Sequence, residues 1–233
     1  MSIKFKPVTH CIFDMDGLLL DTEGLYHQLT QEIIDRYHKN PRKFYTIEIQ
    51  AQMMGIPIRE EGKRIAEIFD LPFTPDEYVE MVRKEIPELM KNCQKCKGAE
   101  SLIKHLHSHK IPICVATASG RESFAAKSTN HKEFFKLFNH ILLGGTDDEV
   151  KHGKPAPDIF LIAAKRFNDN VKPENCLVFE DAPNGLKAAI AAGMQCVMIP
   201  DPNISDKHKN GATLVLNSLD DFKPEDFGLP ARN

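Results

Sequence analysis

Short runs of apolar residues recur along most of this chain, and each run is long enough for one strand of a sheet. Six of them have strand character: Thr9–Phe13, Ile111–Thr117, Ile141–Leu143, Cys176–Phe179, Cys196–Ile199 and Thr213–Leu216. Amphipathic patterns of helical period lie between most of these runs, for instance over Asp158–Phe167 and Asn184–Ala192. Strands that are apolar throughout and alternate with helices predict a parallel sheet covered on both faces.

The segment from residue 21 to residue 96 departs from this alternation, because its only period is helical. In LYHQLTQEIIDRY, four positions recur at helical spacing: Leu25, Leu29, Ile33 and Tyr37. EGKRIAEIF and DEYVEMVRKEIPELM repeat the pattern on either side of LPFTP, a break marked by proline. We therefore predict an α/β protein with a Rossmann-like parallel sheet core, formed by residues 1–20 and 97–233. A small helical cap domain is inserted over residues 21–96.

Composition and charge narrow the possible partners. The 233 residues are 42% hydrophobic and 27% charged, which is typical of a soluble globular protein. The net charge of −3 gives no basic field that would favour nucleic acid or an anionic membrane. The apolar runs are too short to span a bilayer, and MSIKFKPVTHC lacks the apolar region of a secretory signal. We expect a cytoplasmic monomer that acts on a small molecule.

The cysteines raise the question of a zinc site. Cys93 and Cys96 have the spacing of a metal-binding pair, and His105, His107 and His109 follow them. However, these histidines lie in ESLIKHLHSH, where the apolar residues mark the buried face of a helix. A single CxxC with no second pair favours a reduced pair of thiols over structural zinc.

Polar residues at the ends of the predicted strands are the candidates for chemistry, since open parallel sheets bind ligands beyond the carboxyl ends of their strands. They are Asp14, Asp16 and Gly17 after the first run, Thr117, Ala118 and Ser119 in the second, Lys154 in HGKPAPD, and Glu180 and Asp181 after the fourth. Taken singly, each has an ordinary explanation as a turn residue, a helix cap or a solvated charge. Together and in this order, they predict a single site.

The same residues resemble the motifs of the haloacid dehalogenase-like phosphatase superfamily: DxDG, a downstream Asp-Thr, a strand-ending Thr, a lysine before proline and a late acidic pair. Within it, PVTHCIFDMDGLLLDTE, HGKPAPDIFLIAAKRF and CLVFEDAPNGLKAAIAAGM are similar to the eukaryotic pseudouridine-5′-phosphatase group. The resemblance covers essentially the whole chain and places the helical insert at the position of that family's mobile cap. It implies a magnesium-dependent phosphatase that converts pseudouridine 5′-phosphate to pseudouridine and phosphate through an aspartyl-phosphate.

The resemblance also implies roles for the acids. Asp14 is the expected nucleophile, and Asp16 is the expected general acid and base for the leaving group and the attacking water. Residues two apart near a strand end project to the same side, so both carboxylates can face one substrate. Mg²⁺ would be held by Asp14, the Asp16 carbonyl and Asp181, with Glu180 assisting directly or through water. We expect neighbouring negative charge to raise the pKa of Asp16.

The transferring phosphoryl group would be bound by four residues in this interpretation. Lys154 offsets negative charge, and the Thr117 hydroxyl and the amides of Gly17 and Ala118 donate hydrogen bonds to the phosphoryl oxygens. Thr22, in the Asp-Thr pair, either orients Asp16 or marks a hinge, although an ordinary early helix residue is nearly as good an explanation.

Three functions remain open at this stage. A sugar phosphate phosphatase or a phosphomutase of the same superfamily would use the same core residues. A phospho-accepting signalling module is a remote third, since response-regulator receivers carry the phosphorylated Asp on a mid-chain strand and need no helical insert. Selectivity is expected from the insert, where MMGIPIREEGKR carries Arg59, Lys63 and Arg64, each also explicable as a surface charge. Otherwise it lies in core loops such as Gly144–Val150.

Overall fold

The computed structural model describes residues 3–53 and 58–232, without the side chains of residues 51 and 52. Its strands are β1 (His10–Phe13), β2 (Leu20–Asp21), β3 (Gln94–Lys95), β4 (Ile113–Thr117), β5 (His140–Leu143), β6 (Cys176–Glu180), β7 (Gln195–Met198) and β8 (Leu214–Val215). Six of them form one parallel sheet in the order β5-β4-β1-β6-β7-β8. The predicted α/β class is confirmed, and each of the six apolar runs overlaps a strand of this sheet.

Helices cover both faces of the sheet, as the unbroken apolar runs predict. In chain order they are α1 (Glu23–Tyr37), α2 (Ile47–Met53), α3 (Ile58–Phe69), α4 (Pro75–Met90), α5 (Ala99–Ser108), α6 (Arg121–Lys127), α7 (Lys132–Phe135), α8 (Asp158–Lys165) and α9 (Pro183–Ala191). Along β1, Cys11 and Phe13 pack on one face with α5 and α7, whereas Ile12 packs on the other with α8 and α9. Among the residues described, no helix is long and apolar enough to cross a membrane.

The helical insert lies between β2 and β3 and packs around a hydrophobic cluster of its own. Leu29, Ile33 and Tyr78 are among the buried residues that join α1, α3 and α4 in this cluster. The proline-marked break is the start of α4, where Thr74 and Glu77 form a reciprocal capping box. The two ends of the insert pair as the short antiparallel ribbon β2–β3, which the apolar pattern does not reveal. The boundaries 21 and 96 stay a prediction.

The order of the strands places their carboxyl ends around one crevice. β1 lies between β4 and β6, so the chain extends the sheet first to one side of β1 and then to the other. Such a reversal separates the connecting loops and leaves an opening at the carboxyl ends of the strands. The carboxyl ends of β1, β4 and β6 and the loops that follow them therefore meet, and they carry all the predicted site residues except Lys154, which comes from the loop after β5.

Candidate active site

Asp14 lies at the centre of this crevice, directly after β1. Its N–H donates to the carbonyl oxygen of Phe179 on β6 at 3.0 Å, so the backbone is still held as in the sheet. The carboxylate is buried, as are Thr117, Glu180 and Asp181 from the neighbouring strand ends. The structure therefore brings together residues that the sequence separates by more than a hundred positions.

Lys154 reaches the same point from the loop between β5 and α8. Its Nζ donates to Asp14 Oδ1 at 2.5 Å, to Glu180 Oε1 at 2.5 Å and to the Ala116 carbonyl at 3.2 Å. The ammonium also lies 5.0 Å from the centre of the Phe160 ring. Lys154 thus links two buried carboxylates, and their negative charges raise its pKa against the opposing effect of burial.

Three carboxylates crowd around this single lysine. The ligand oxygens of Asp14, Glu180 and Asp181 lie within 4.8 Å of one another. Burial raises the pKa of Asp14 to about 7, although the charge of Lys154 acts in the opposite direction. Burial, with the charges of Glu180 and Asp14 added to it, also raises the pKa of Asp181 well above its usual value. Negative charge in excess of the lysine and an all-oxygen donor set fit a hard divalent cation such as Mg²⁺.

Two glycines leave the space that the carboxylates of the acidic cluster occupy. A Cβ on Gly17, whose φ is +76°, would lie 2.2 Å from Asp181 Oδ2, so no larger residue fits at that position. The N–H of Gly17, predicted to bind phosphate, donates to the Leu20 carbonyl at 2.9 Å in a tight turn. A Cβ on Gly185 would lie 1.9 Å from Glu180 Oε1. Gly185 lies in the first turn of α9, as does Asn184.

Asp16 is held by a separate set of donors. Oδ1 accepts from the Thr22 hydroxyl at 2.9 Å and from Lys127 Nζ at 2.6 Å. Oδ2 accepts from the Ser119 hydroxyl at 2.8 Å and from the Thr117 hydroxyl at 3.4 Å. The Thr117 hydroxyl in turn accepts from the N–H of Ser119 at 3.0 Å. Of the two roles proposed for Thr22, its contact with Asp16 supports the orienting one.

The expected direction of the Asp16 pKa is wrong. Burial alone would raise this pKa, but the positive charge of Lys127 and the hydrogen bonds from Lys127, Ser119 and Thr22 outweigh burial and lower it. Lys127 ends α6, and its side chain is only 2% exposed. Lys127 is not among the predicted site residues, because a lysine in RESFAAKSTN has the pattern of a solvated charge. Nothing in the local sequence would have found it.

The basic residues of the predicted cap loop lie on the surface. Arg59, Lys63 and Arg64 are all exposed. Arg59 and Arg64 form exposed ion pairs with acidic residues of the insert itself. Residues 54–57 of the same loop lie outside the described residues. In this structure the three cations are surface charges, which was the ordinary explanation for each of them.

Comparison with known proteins bears on the whole chain. The sequence model of the family "Haloacid dehalogenase-like hydrolase" matches residues 11–199, which include the acidic cluster and the Asp16 contacts. The chain is 51% identical over 226 residues to "Probable pseudouridine-5′-phosphatase" of Drosophila melanogaster, covering 97% of this chain and 96% of that protein. It is 44% identical over 227 residues to "(DL)-glycerol-3-phosphatase 2" of Arabidopsis thaliana, covering 96% and 92%.

The fold comparison agrees with the sequence comparison. The crystal structure of beta-phosphoglucomutase from Clostridium difficile superposes with a TM-score of 0.69 at 27% identity, and the match covers 95% of this chain and 97% of that one. The resemblance inferred from the motifs is confirmed by these matches. The core motifs lie together at the carboxyl ends of the central strands, and the family model matches most of the chain. The chain therefore belongs to the haloacid dehalogenase-like hydrolase family.

Proposed function

We propose that this phosphoric monoester hydrolase cleaves a small phosphate ester through an aspartyl-phosphate on Asp14. The observation that carries the proposal is the position of the Asp14 carboxylate, buried at the end of the central strand with Lys154 at 2.5 Å from Oδ1. An anion that attacks a phosphate is repelled unless cations offset the charge. Lys154 supplies one positive charge to both the attacking carboxylate and the transferring phosphoryl group.

The two acids divide the reaction between them. In the first step an Asp14 oxygen bonds to phosphorus, the bond from phosphorus to the ester oxygen breaks, and Asp16 gives that oxygen a proton. In the second step Asp16 takes a proton from water, the water oxygen bonds to phosphorus, and the bond to Asp14 breaks. Lys127 and the hydroxyls keep Asp16 ionised before substrate binds. The arriving negative phosphate favours its protonation.

The acidic cluster supports a magnesium site. Asp14, the Asp16 carbonyl and Asp181 would hold the ion, with Glu180 binding directly or through water. The ion would offset the charge of the phosphate and of the nucleophile. Glu180 Oε1 already accepts from Lys154 at 2.5 Å and Oε2 accepts from the Ala182 N–H at 3.4 Å, so the longer contact is the less costly one to exchange for the ion.

Residues beside the acids are placed to bind the phosphoryl oxygens. Thr117 is the last residue of β4 and Ala118 follows it. The Thr117 hydroxyl, the Ala118 amide and the Gly17 amide stay proposed phosphate donors. Thr117 would have to exchange its 3.4 Å contact with Asp16 for a phosphoryl oxygen. This contact is the longest of the four that hold Asp16, so it is the least costly one to exchange.

Pseudouridine 5′-phosphate is the proposed substrate, on the strength of the similarity to the Drosophila protein. Glycerol 3-phosphate is the second candidate, because the Arabidopsis relative has 44% identity and is named for that activity. The core residues contact only the phosphoryl group and the bridging oxygen, so they do not favour one ester over the other. A cytoplasmic location and a monomeric state remain part of the proposal.

A phosphate-release panel tests the proposal. The purified protein is given Mg²⁺ and one of four esters: pseudouridine 5′-phosphate, uridine 5′-phosphate, glycerol 3-phosphate or β-glucose 1-phosphate. We expect the highest kcat/KM with the first, and no release by the Asp14→Asn variant, which controls for contaminating phosphatases. ³¹P NMR identifies a mutase, since an isomer would then form in place of free phosphate. Release from none of the four esters would overturn the proposal.

A further inference from the structure

The proposed reaction uses the buried ammonium of Lys127 only to keep Asp16 ionised, and it does not account for the second contact of this ammonium, with Ser119. Its Nζ lies 2.6 Å from Asp16 Oδ1 and donates to the Ser119 hydroxyl at 3.0 Å. It also lies 5.4 Å from the centre of the Tyr26 ring. The side chain is 2% exposed, whereas that of its partner Asp16 is 23% exposed. A lysine that could have extended into solvent from the end of α6 is instead directed into the crevice.

Stability of the fold does not account for this arrangement. Moving an ammonium out of water is costly, and a buried ion pair is often no more stable than well-packed apolar residues of similar volume. Burial alone would lower the pKa of Lys127, yet the charge of Asp16 and the contact with Tyr26 raise it. The ammonium lies inside the crevice, 2.6 Å from Asp16 Oδ1 and 3.0 Å from the Ser119 hydroxyl, at a cost that an apolar side chain would avoid. This placement points to a use in the site.

We propose that Lys127 is a positioning residue that fixes the carboxylate of Asp16 for proton transfer. The inference rests on the proposed function, in which Asp16 is the general acid and base. Lys127 binds Oδ1 directly and reaches Oδ2 through the Ser119 hydroxyl, which accepts from Nζ and donates to Asp16. Both carboxylate oxygens are thus held by one ammonium, and this limits both rotation and displacement of the carboxylate.

The contacts of Thr22 and Lys127 with Asp16 come from different parts of the fold, and this shows what Lys127 contributes beyond Thr22. Thr22 immediately precedes α1 in the insert, so its hydrogen bond to Asp16 depends on the position of the insert relative to the core. Lys127 and Ser119 belong to α6 and to the loop after β4, both in the core. Their contacts hold the Asp16 carboxylate in a fixed position relative to Asp14. Proton transfer depends steeply on distance, so a fixed frame keeps the acid within reach of the bridging oxygen.

The test separates the two half-reactions by rapid quench. Lys127→Met keeps the length of the side chain and removes its charge. With p-nitrophenyl phosphate, whose leaving group needs little protonation, the variant should form phosphoenzyme at close to the wild-type rate. Its dephosphorylation should slow by about 10²-fold, so that phosphoenzyme accumulates, and kcat for glycerol 3-phosphate should fall by a similar factor while KM changes little. Lys136→Met, at an exposed lysine, should match the wild type in both steps.

Equal slowing of both steps, or dephosphorylation at the wild-type rate, would overturn the inference. If Lys127→Met does not fold, Ser119→Ala decides, because loss of the bridging hydroxyl should slow the same step to a lesser extent. Asp16→Asn serves as the reference. If Asp16→Asn dephosphorylates normally or the wild type forms no phosphoenzyme, the proposed function fails. If Asp16→Asn accumulates phosphoenzyme and Lys127→Met does not, only the inference about Lys127 fails.

Discussion

Asp14 and Asp16 are two residues apart, but they lie in opposite electrostatic surroundings. Asp14 shares one lysine with Glu180 and has Asp181 beside it. Burial, with the charge of Glu180 added to it, raises the pKa of Asp14 to about 7. Asp16 has Lys127 and three hydroxyl donors, and its pKa is lowered. The first carboxylate lies where negative charge exceeds positive charge, whereas the second is balanced within its own contacts.

This difference fits the two roles proposed for the acids. Excess negative charge around Asp14 favours a cation, and a cation that faces an attacking carboxylate is what phosphoryl transfer requires. A carboxylate held by several donors suits proton transfer, since its position is fixed while its charge changes. Sequence proximity places both side chains at one strand end, and distant residues then determine what each can do.

Removal of the proposed divalent cation is the strongest test of the interpretation given for the surroundings of Asp14. Excess chelator should abolish phosphate release and added Mg²⁺ should restore it, because the uncompensated acids would otherwise repel the substrate phosphate. Ca²⁺ should inhibit, since it takes more ligands in a looser geometry than Mg²⁺ does. Phosphate release is measured against the concentration of each ion. Full activity in excess chelator would contradict the hypothesis that the acidic cluster holds a cation needed for phosphate release.

The Asp14→Asn variant removes the proposed nucleophile. Turnover should fall by at least ~10³-fold, because an amide oxygen is a poor nucleophile and no aspartyl-phosphate can form. Acid-quenched protein from a reaction with labelled ester should carry no phosphate that hydroxylamine releases. Retention of such a phosphate by the variant would place the nucleophile elsewhere.

The Asp16→Asn variant should give a loss that depends on the leaving group. We expect about 10²- to 10⁴-fold lower kcat with alkyl phosphates, because both protonation of the ester oxygen and activation of water are lost. With an aryl phosphate, the first half-reaction should recover and phosphoenzyme should accumulate. Stopped-flow release of the aryl alcohol measures the burst. An equal loss with alkyl and aryl esters would show that Asp16 does not act as the acid.

Gly185→Ala tests the packing behind the acidic cluster. The added methyl group would collide with the Glu180 carboxylate, which must move away from Lys154. The Mg²⁺ concentration for half-maximal activity should rise by about 10- to 100-fold, as is usual when a supporting contact of a metal site is lost. Gly153→Ala is the matched control, because its Cβ would meet nothing within 4 Å. Equal Mg²⁺ dependence in the two variants would show that Glu180 tolerates displacement.

Much of the fold could be predicted from the chain alone. Strands buried on both faces need no alternation, so their apolar runs stand out from the sequence and their bounds shift by at most two residues in the structure. β2 and β3 escaped prediction because two residues each are too few to show a period. The helices of the insert were visible from their spacing, and Pro75 with the capping residues marks where α4 begins.

The site was predictable only where the chain repeats a known order of motifs. Asp14, Lys154, Glu180 and Asp181 converge as expected. The surroundings of Asp16 were not predictable, because its charge partner lies on a helix distant in sequence. The acids visible near Asp16 in the sequence suggested a raised pKa, and the unseen Lys127 reverses it.

The β2–β3 ribbon has a consequence for how such a protein can diversify. Because Leu20 pairs with Lys95 and Asp21 with Gln94, the insert leaves and re-enters the core at adjacent points. The gap that any replacement segment must bridge is then only the spacing of two hydrogen-bonded strands, about 4.8 Å. Insertions, deletions or a wholly different insert between these points need not alter the register of the main sheet. Evolution can therefore replace the segment between Asp21 and Gln94 while the residues at the strand ends of the core are retained.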